Sequence, residues 1–323
     1  MSIPFLLAPM AELSHRALRE LIEGFGGCDA YFSEMISAGA LLSGGPFESW
    51  YIDGGPRSEK LVYQLLGADS RQIVKAGALL DRLECAGIDI NLGCSAPMIR
   101  KTGAGVAWMA SIDRAGELIA RVRRAVRRRL SVKLRIGFQD DFEYLAGFCR
   151  RLEAEGTELI ILHPRTAGEK FRRSARWDYV GELRRELGIP VAGNGDIASA
   201  ADLCRRAAGP CDAVMAGRAA VRQPWLFAQA RLLETQGREH PPCENFHINL
   251  AETGLNFLEL LARHQPPEFH LSRARRFFSF FCDNLKWGNY LKTLLNRGEN
   301  LAGIERIWRD YFAEHGEEAL LTV

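Results

Sequence analysis

The residues best suited to chemistry follow the short apolar run Ile88–Leu92. Asn91 ends a predicted buried strand, and Cys94 lies three positions later in a loop. A cysteine just beyond a buried strand occupies the position where barrel enzymes carry reactive groups. A cysteine also occurs in proteins simply as a small buried apolar residue, so this position alone does not decide its role.

Other predicted strands also end in polar, glycine or reactive residues. These strand ends comprise Pro9-Met10, Gln64, Asn91 with Cys94, Lys133, His163 with Arg165, Asn194-Gly195-Asp196, and Gly217-Arg218. Because the active site of a parallel barrel lies at the carboxyl ends of its strands, we expect these residues to converge on one site. A barrel with only a structural role would not need that convergence.

The residue types suggest what this site binds. Gly195 and Gly217 let the backbone approach an anion, and the loops after strands seven and eight of such barrels commonly bind phosphate. Lys133 lies within an otherwise apolar strand, where it either meets an anion or polar ligand or faces outward between helices. Gln64 and Asn91 can each donate and accept hydrogen bonds, which suits the edge of a heterocycle.

Short β-rich runs alternate with amphipathic stretches as far as residue 235, which indicates parallel βαβ units. The predicted strands are Ile3–Ala8, Tyr31–Glu34, Leu61–Leu66, Ile88–Asn91, Ser131–Arg135, Glu158–His163, Ile189–Gly193 and Ala213–Ala216. The clearest predicted helices are Asp69–Leu83 and Asp113–Arg129. Eight such units predict an α/β fold with a (β/α)₈ TIM barrel, and an open doubly wound sheet is the alternative.

The last third of the chain predicts a small all-α helical bundle after a linker at Gly237–Pro242. We therefore expect a catalytic barrel domain over residues 1–238 and a helical domain over residues 239–323. The predicted helices are Phe246–Leu261, Leu271–Trp287, Tyr290–Leu295 and Ile304–Phe312. Most of the phenylalanines over 277–281 are expected to be core residues at helical spacing.

Basic residues are concentrated in two places. The tract His270–Arg297 carries six cations against Asp283, a net charge of +5, and includes Arg273, Arg275 and Arg276. The loop His163–Arg176 nets +4 and includes Arg165 and Lys170. Such clusters fit phosphate contacts with a nucleic acid. The arginines that end the helix Asp113–Arg129 are explained instead by the helix dipole.

Composition limits the remaining classes of protein. The 323 residues carry a net charge of +2, with 47% hydrophobic and 25% charged residues, which is typical of a globular protein. The 8 cysteines form no C-x-x-C pair, so we expect no metal site. We see no signal peptide or membrane span, and we expect a cytoplasmic monomer with reduced thiols.

With these residues in place, the chain resembles the tRNA-dihydrouridine synthases, the flavoenzyme family that reduces uridine in transfer RNA. The motifs that carry the resemblance are Leu7-Ala8-Pro9-Met10-Ala11, Asn91-Leu92-Gly93-Cys94 with Gly103-Ala104-Gly105, Lys133–Gly137, His163–Thr166, Asn194–Ile197 and Met215–Arg218. Their order and spacing match the family over most of the chain. The family usually has proline directly after the cysteine, where this chain has Ser95.

The resemblance implies a flavin mononucleotide (FMN) cofactor, with NADPH, or NADH, as the reductant and tRNA as the substrate. The residues expected to hold FMN are Pro9, Met10, Ala11, Gln64, Lys133, His163, Asn194, Gly195, Asp196, Gly217 and Arg218. Cys94 is expected to be the general acid, with Asn91 and Arg165 near the target uracil. Lys170, Arg273, Arg275 and Arg276 are expected to contact RNA.

The expected reaction adds hydride to C6 of uracil and a proton to C5. A thiol of ordinary pKa, about 8.5, is mostly protonated near neutral pH, as a proton donor must be. Four alternatives remain open from the residues: dihydrouridine synthesis on ribosomal RNA, flavin-dependent reduction of a free pyrimidine or enone, a lyase or aldolase using Lys133 as a Schiff base, and an RNA-binding protein that has lost its chemistry.

Overall fold

The computed structural model describes residues 3–169, 172–236 and 247–322. The chain forms two compact units. The first comprises the described residues of Met1–Pro9, Asp29–Ile197 and Arg205–Ala216. The second comprises those of Met10–Cys28, Ala198–Cys204 and Gly217–Val323.

The first unit contains a closed barrel of eight parallel strands in sequential order, in which the last strand pairs with the first. The strands are β1 Phe5–Leu7, β2 Ala30–Ser37, β3 Leu61–Leu66, β4 Gly87–Leu92, β5 Arg129–Gly137, β6 Leu159–Thr166, β7 Val191–Asn194 and β8 Ala213–Ala216. This confirms the predicted (β/α)₈ barrel and excludes the open sheet. β5 and β6 continue past Lys133 and His163, which therefore lie within strands rather than at their last residues.

Helices alternate with the strands and continue beyond them. They are α1 Arg16–Gly24, α2 Ala38–Ser43, α3 Glu48–Tyr51, α4 Ser70–Leu80, α5 Pro97–Lys101, α6 Ile112–Ala125, α7 Phe142–Ala154, α8 Asp178–Glu186, α9 Ala200–Ala207, α10 Arg218–Arg222, α11 Leu226–Gln236, α12 Leu250–His264, α13 Pro267–Phe281, α14 Gly288–Leu295 and α15 Leu301–Glu314. Several begin at a side-chain cap, as at Asp69, where the carboxylate accepts a hydrogen bond from the backbone N–H of Arg71.

The predicted helix Asp113–Arg129 was too long, because α6 ends at Ala125 and β5 already begins at Arg129. Asp81 Oδ1 accepts hydrogen bonds from the backbone N–H groups of Arg127 and Arg128 at 3.0 and 2.9 Å. This carboxylate takes the place of the helix carbonyls, so the chain leaves the helix. The helix dipole therefore does not explain the arginines at 127–129.

The second unit has an aromatic core formed by its C-terminal helices. Phe257 of α12 stacks on Phe277 of α13 with ring centroids 3.7 Å apart, and Phe278 lies 4.6 Å from Trp308 of α15. Phe277, Phe278 and Phe281 are buried, as expected from their helical spacing. α1 also belongs to this unit and packs against α12.

Two short strands in the second unit were not predicted. β9 His247–Asn249 pairs antiparallel with β10 Leu320–Thr322, and Asn249 caps α12. The predicted helix start at Phe246, the linker Gly237–Pro242 and the domain boundary after residue 238 lie outside the described residues, and the two-domain division stays a prediction. No helix in the described ranges is long and apolar enough to cross a membrane.

Candidate active site

A cavity of about 370 Å³ opens within the first unit, towards the carboxyl ends of the barrel strands. Its volume lies in the range of small-molecule sites. It is lined by Pro9, Met35, Asn91, Gly93, Cys94, Ser95, Ala96, Pro97, Lys133, Leu134, Arg135 and His163. Five of the residues predicted from the sequence therefore meet around one cavity: Pro9, Asn91, Cys94, Lys133 and His163.

The loop that carries Cys94 is held from both sides. Asn91 Oδ1 accepts hydrogen bonds from the backbone N–H groups of Gly93 at 3.1 Å and Cys94 at 2.9 Å. The Cys94 carbonyl accepts one from the Val106 N–H at 3.0 Å. Gly105 has a φ of +61°, and a Cβ there would lie 2.4 Å from the Cys94 carbonyl oxygen. Only glycine fits this position, so the spacing between Asn91, Cys94 and Gly105 reflects one folded loop.

Other cysteines are poorly suited to act as acids. Burial raises the pKa of Cys211 to about 11 and that of Cys282 to about 12. Burial also raises the pKa of Cys149 far above its usual range. Cys94 is the cysteine among the cavity-lining residues, and it is only half-buried.

A chain of buried polar side chains lies behind the cavity. Asp89 accepts hydrogen bonds from Ser131 Oγ at 2.6 Å and Gln64 Nε2 at 2.7 Å. Gln64 Oε1 accepts one from Asn91 Nδ2 at 2.8 Å. This series of hydrogen bonds ends at the backbone N–H of Cys94, which donates to Asn91 Oδ1. Because each buried polar group has a partner, the network is rigid and keeps the cysteine loop in one position.

Burial raises the pKa of Asp89 to about 6, although hydrogen bonds from Ser131 and Gln64 oppose the shift. Gln64 itself is fully buried and is not among the cavity-lining residues. Gln64 is hydrogen-bonded to Asn91, and Asn91 lines the cavity.

Two cations line the cavity. Burial lowers the pKa of Lys133 to about 8, and the positive charge of Arg135 acts in the same direction. Arg135 is buried, and its Nη1 donates a hydrogen bond to the Thr166 carbonyl at 3.2 Å. Burial and the neighbouring Arg165 lower the pKa of Arg135 as well. The cavity is therefore electropositive, which favours a ligand or transition state that carries negative charge.

His163 is held by a buried arginine. Arg165 is 2% exposed. Its guanidinium contacts His163 Nε2 at 2.9 Å, Asp196 Oδ1 at 2.5 Å and the Arg173 carbonyl at 2.5 Å. Because a guanidinium can only donate, Nε2 of His163 must accept, and the proton of the neutral ring lies on Nδ1.

The loop after β7 packs directly on this group. Gly195 has a φ of +126°, and a Cβ there would lie 3.0 Å from His163 Cδ2. Both carboxylate oxygens of Asp196 are engaged, one by Arg165 and the other by the Ala175 N–H at 2.7 Å. Asn194 Nδ2 donates to the Met215 carbonyl at 2.8 Å. The side chains of Asn194 and Asp196 thus hold the loop, and only its backbone is left to face a ligand.

The remaining residues predicted to bind the cofactor belong to the second unit. Met10 and Ala11 precede α1, and Ser14 Oγ accepts a hydrogen bond from the Met10 N–H at 2.8 Å. Gly217 and Arg218 begin α10 in the same unit. Their role in cofactor binding stays a prediction.

The three arginines of α13 predicted to bind RNA differ in exposure. Arg273 is 3% exposed and lies 4.8 Å from the Phe269 ring. Arg275 Nη2 donates hydrogen bonds to the carbonyls of Asn296 and Gly298, each at 2.9 Å. Arg276 is exposed on the surface of the helix. Only Arg276 presents an accessible charge, and Lys170 lies outside the described residues.

Sequence reasoning missed Asp89, Ser131 and Arg135. Asp89 had a usable signal, because a carboxylate between Ile88 and Ile90 in a fully buried strand requires hydrogen-bond partners. Arg135 belongs to the Lys133–Gly137 motif, but its place in the sequence does not indicate that it lines the cavity. Ser131 is an ordinary strand residue by its sequence, and nothing local marks it.

Comparison with known proteins gives consistent matches. The family model for dihydrouridine synthase matches residues 6–313. A tRNA-dihydrouridine(16) synthase of Cupriavidus necator is 34% identical over 235 residues, covering 70% of this chain and 72% of that protein. The tRNA-dihydrouridine(16) synthase of Ralstonia nicotianae is 32% identical over 240 residues, with 70% and 72% covered. A probable tRNA-dihydrouridine synthase of Mycobacterium leprae is 27% identical over 321 residues, covering 90% of this chain and 83% of that protein.

Proposed function

The chain belongs to the dihydrouridine synthase family, and we propose that it reduces the C5=C6 bond of uridine in tRNA to 5,6-dihydrouridine, using FMN and NADPH. The observation that carries this proposal is the cavity that brings Cys94 together with Asn91, Lys133 and His163. The set combines a proton donor, a positive charge and hydrogen-bonding groups around one space. Reduction of a pyrimidine ring requires each of these.

The residues around the cavity fit a flavin. In the described part of the chain, the Lys133 ammonium has no hydrogen-bond partner, although it is half-buried and faces the cavity. Keeping an ammonium partly buried without a hydrogen-bond acceptor costs free energy, unless a bound ligand accepts a hydrogen bond from it. A flavin ring offers carbonyl and nitrogen acceptors at its edge, and Pro9 and Met35 offer apolar surface for its face.

In this proposal Lys133 and His163 bind the flavin ring, and the backbone at Gly195 contributes to its phosphate site. Gln64 acts indirectly, by orienting Asn91. Arg165 positions His163 rather than touching uracil, because its guanidinium is already engaged by three partners. Pro9 packs on the ring, and Met10, Ala11, Gly217 and Arg218 remain predicted flavin contacts.

A reduced flavin held by these residues would supply the hydride that C6 of uracil receives. As C6 gains hydride, negative charge develops towards C5 and the C4 carbonyl oxygen. Lys133 and Arg135 stabilise this charge because both are cations in a site of low polarity. Cys94 then transfers its Sγ proton to C5, and the thiolate regains a proton from solvent. NADPH would supply the electrons that keep a bound flavin reduced.

The RNA must present its uridine in an unstacked conformation to enter the cavity. Arg172 and Arg173 follow the catalytic end of β6 and are exposed, so they can meet phosphates around the target. Arg176 is less available, because it pairs with Glu169 at 2.6 Å and Asp140 at 3.0 Å. Lys170 belongs to the same loop and remains a predicted contact.

The test separates the two halves of the reaction. The purified protein is expected to carry a flavin that NADPH reduces and tRNA reoxidises, both followed by flavin absorbance. The Cys94→Ala variant should be reduced normally, because reduction of the cofactor needs no acid from the protein. Its reoxidation by tRNA should slow by ~100-fold or more, the usual effect of losing a general acid. Reoxidation at the wild-type rate would remove Cys94 from the mechanism, and a protein that cannot bind flavin would refute the proposal.

A further inference from the structure

The surface between α4 and α6 in the first unit contains two adjoining cavities. One, of about 450 Å³, is lined by Arg71, Val74, Lys75, Arg121, Arg124 and Ala125. The other, of about 490 Å³, is lined by Ala78, Asp81, Arg82, Ala125, Arg127 and Arg128. Ala125 lines both, so the two cavities adjoin at the surface, and we call them together the α4–α6 groove.

The cations of the first cavity are not compensated by acidic neighbours. α4 carries Arg71 and Lys75 and no acidic residue. α6 contributes Arg121 and Arg124. None of these four cations forms an ion pair within residues 3–169, 172–236 and 247–322. The second cavity has a single carboxylate, Asp81, whose Oδ1 accepts hydrogen bonds from two backbone N–H groups. Four like charges around one cavity repel each other, which indicates a surface kept basic for an anion.

Two arginines on a neighbouring surface of the same unit are paired with carboxylates. On the outer side of α7 and α8, Arg150 pairs with Glu186 at 3.0 Å, and Arg151 pairs with Glu155 at 2.9 Å and Asp113 at 2.8 Å. The cations of the first cavity differ from these two in having no carboxylate partner among the described residues. The helix dipole favours Arg124, in the last turn of α6, but it does not explain Arg71, which lies in the first turn of α4, where a cation is disfavoured.

The groove leads away from the mouth of the barrel. α4 begins just after β3, at the carboxyl ends of the strands, and its 11 residues extend about 16 Å towards the opposite face. α6 lies alongside it, with Arg114 Nη2 donating to the Ala68 carbonyl at 3.4 Å and Arg121 Nη1 to Ser70 Oγ at 3.5 Å. The same end of the barrel carries Cys94.

We propose that the α4–α6 groove binds the phosphodiester backbone of tRNA at a part of the molecule away from the reduced uridine. This inference rests on the proposed function, which supplies a tRNA substrate. A small anion would be held by donors that converge on one point, whereas Arg71, Lys75, Arg121 and Arg124 are exposed and are distributed over two helices. Such an arrangement fits successive phosphates, which bind cations by releasing counterions.

The experiment measures the affinity of the full-length flavoprotein for an unmodified tRNA transcript at several salt concentrations. The variants are Lys75→Glu, Arg121→Glu and the two combined. The control is Arg185→Glu, an exposed position on α8 of the same unit with the same change of charge. We expect the combined variant to lose roughly 10-fold or more in affinity, and its salt slope to be smaller by about one unit for each lost contact. Reduction of the flavin by NADPH should be unchanged, which shows that the barrel is folded.

A short stem–loop cut from the same tRNA around the reduced uridine provides a second comparison. The combined variant should bind it as the wild type does, because the groove holds another part of the tRNA. The proposal would be overturned if the combined variant bound full-length tRNA with wild-type affinity, or lost no more affinity than Arg185→Glu. It would also be overturned if the combined variant lost as much affinity for the stem–loop as for full-length tRNA. A wild type that binds tRNA without reducing uridine would refute the proposed function alone, since the binding comparison still decides the groove.

Discussion

Asp89 accepts a hydrogen bond from Gln64 Nε2 at 2.7 Å, and this contact sets the orientation of both amides between the barrel interior and Cys94. A carboxylate only accepts, so Gln64 must turn its NH₂ group towards Asp89 and its oxygen towards Asn91 Nδ2. Asn91 is then left with its oxygen towards the backbone N–H of Cys94. The position of the Cys94 loop thus depends on a carboxyl group that does not line the cavity.

This relationship predicts different outcomes for two substitutions at Asp89. In Asp89→Asn the side-chain oxygen can still accept from Gln64, and its NH₂ can donate to the Ser131 hydroxyl, so both amides keep their orientation. In Asp89→Leu, Gln64 loses its acceptor, and the loop at Cys94 is no longer fixed. We expect reoxidation of the flavin by tRNA to slow by roughly 10-fold or more in the leucine variant only, a loss of at least about 1.4 kcal/mol in transition-state stabilisation.

Alkylation of Cys94 by iodoacetamide gives an independent measure of the same loop. Its rate should change in Asp89→Leu and stay near that of the wild type in Asp89→Asn. Equal alkylation and reoxidation rates in the leucine variant and the wild type would show that the amide orientation does not depend on Asp89.

The raised pKa of Asp89 predicts a pH-dependent stability. The unfolded carboxyl loses its proton near pH 3.9, whereas the folded one keeps it until about pH 6. Its contribution to stability is therefore fully present below about pH 3.9 and is lost as the pH rises through about 6, by up to about 3 kcal/mol. Asp89→Asn removes this dependence, so its stability relative to the wild type should increase between pH 4 and pH 7. Urea unfolding at both pH values tests this, and parallel curves for the two proteins would contradict it.

Gly193 is predicted to be intolerant of a side chain. A Cβ at this position would lie 2.1 Å from Trp177 Cζ3, and Trp177 Nε1 donates a hydrogen bond to the Gly195 carbonyl at 2.9 Å. Gly193→Ala should therefore displace the indole and disturb the loop at Gly195, with a loss of about 1–3 kcal/mol and weaker retention of flavin. Gly168→Ala is the control, because no atom lies within 4 Å of its added Cβ. Similar melting temperatures and flavin content in the two variants would contradict the prediction.

Arg275 and Arg276 should respond differently to charge reversal. Arg275→Glu leaves the carbonyls of Asn296 and Gly298 without their donor, so we expect a loss of stability of about 1–3 kcal/mol. Arg276→Glu should leave stability within about 0.5 kcal/mol, because its side chain is exposed. It should weaken tRNA binding and reduce the salt slope by about one unit. Thermal unfolding and tRNA affinity at several salt concentrations distinguish the two, and unchanged affinity in Arg276→Glu would show that this residue does not contact RNA.

Local patterns in the sequence were sufficient to predict the barrel and the residues that surround Cys94. Apolar runs that alternate with amphipathic helices favour parallel strands, and the carboxyl ends of parallel strands in one barrel must meet. For this reason the sequence alone assigns four residues to one site, namely Asn91, Cys94, Lys133 and His163. The aromatic spacing over 277–281 identified core residues for the same reason, since helical periodicity is a local property.

Only the tertiary structure decided which side chains contact each other across the barrel and along its surface. Lys133 lies between buried residues on both sides, so the hydropathy pattern of β5 did not reveal whether it faces inward. The contact of Asp89 with Gln64 joins residues 25 positions apart, and it depends on the register of β3 against β4. Arg275 and Arg276 are adjacent in sequence, yet one donates to the carbonyls of Asn296 and Gly298 and the other faces solvent, because successive residues on a helix point about 100° apart. The α4–α6 groove joins cations of the helices that follow β3 and β4, and only the packing of these helices decides which of their side chains line one cavity.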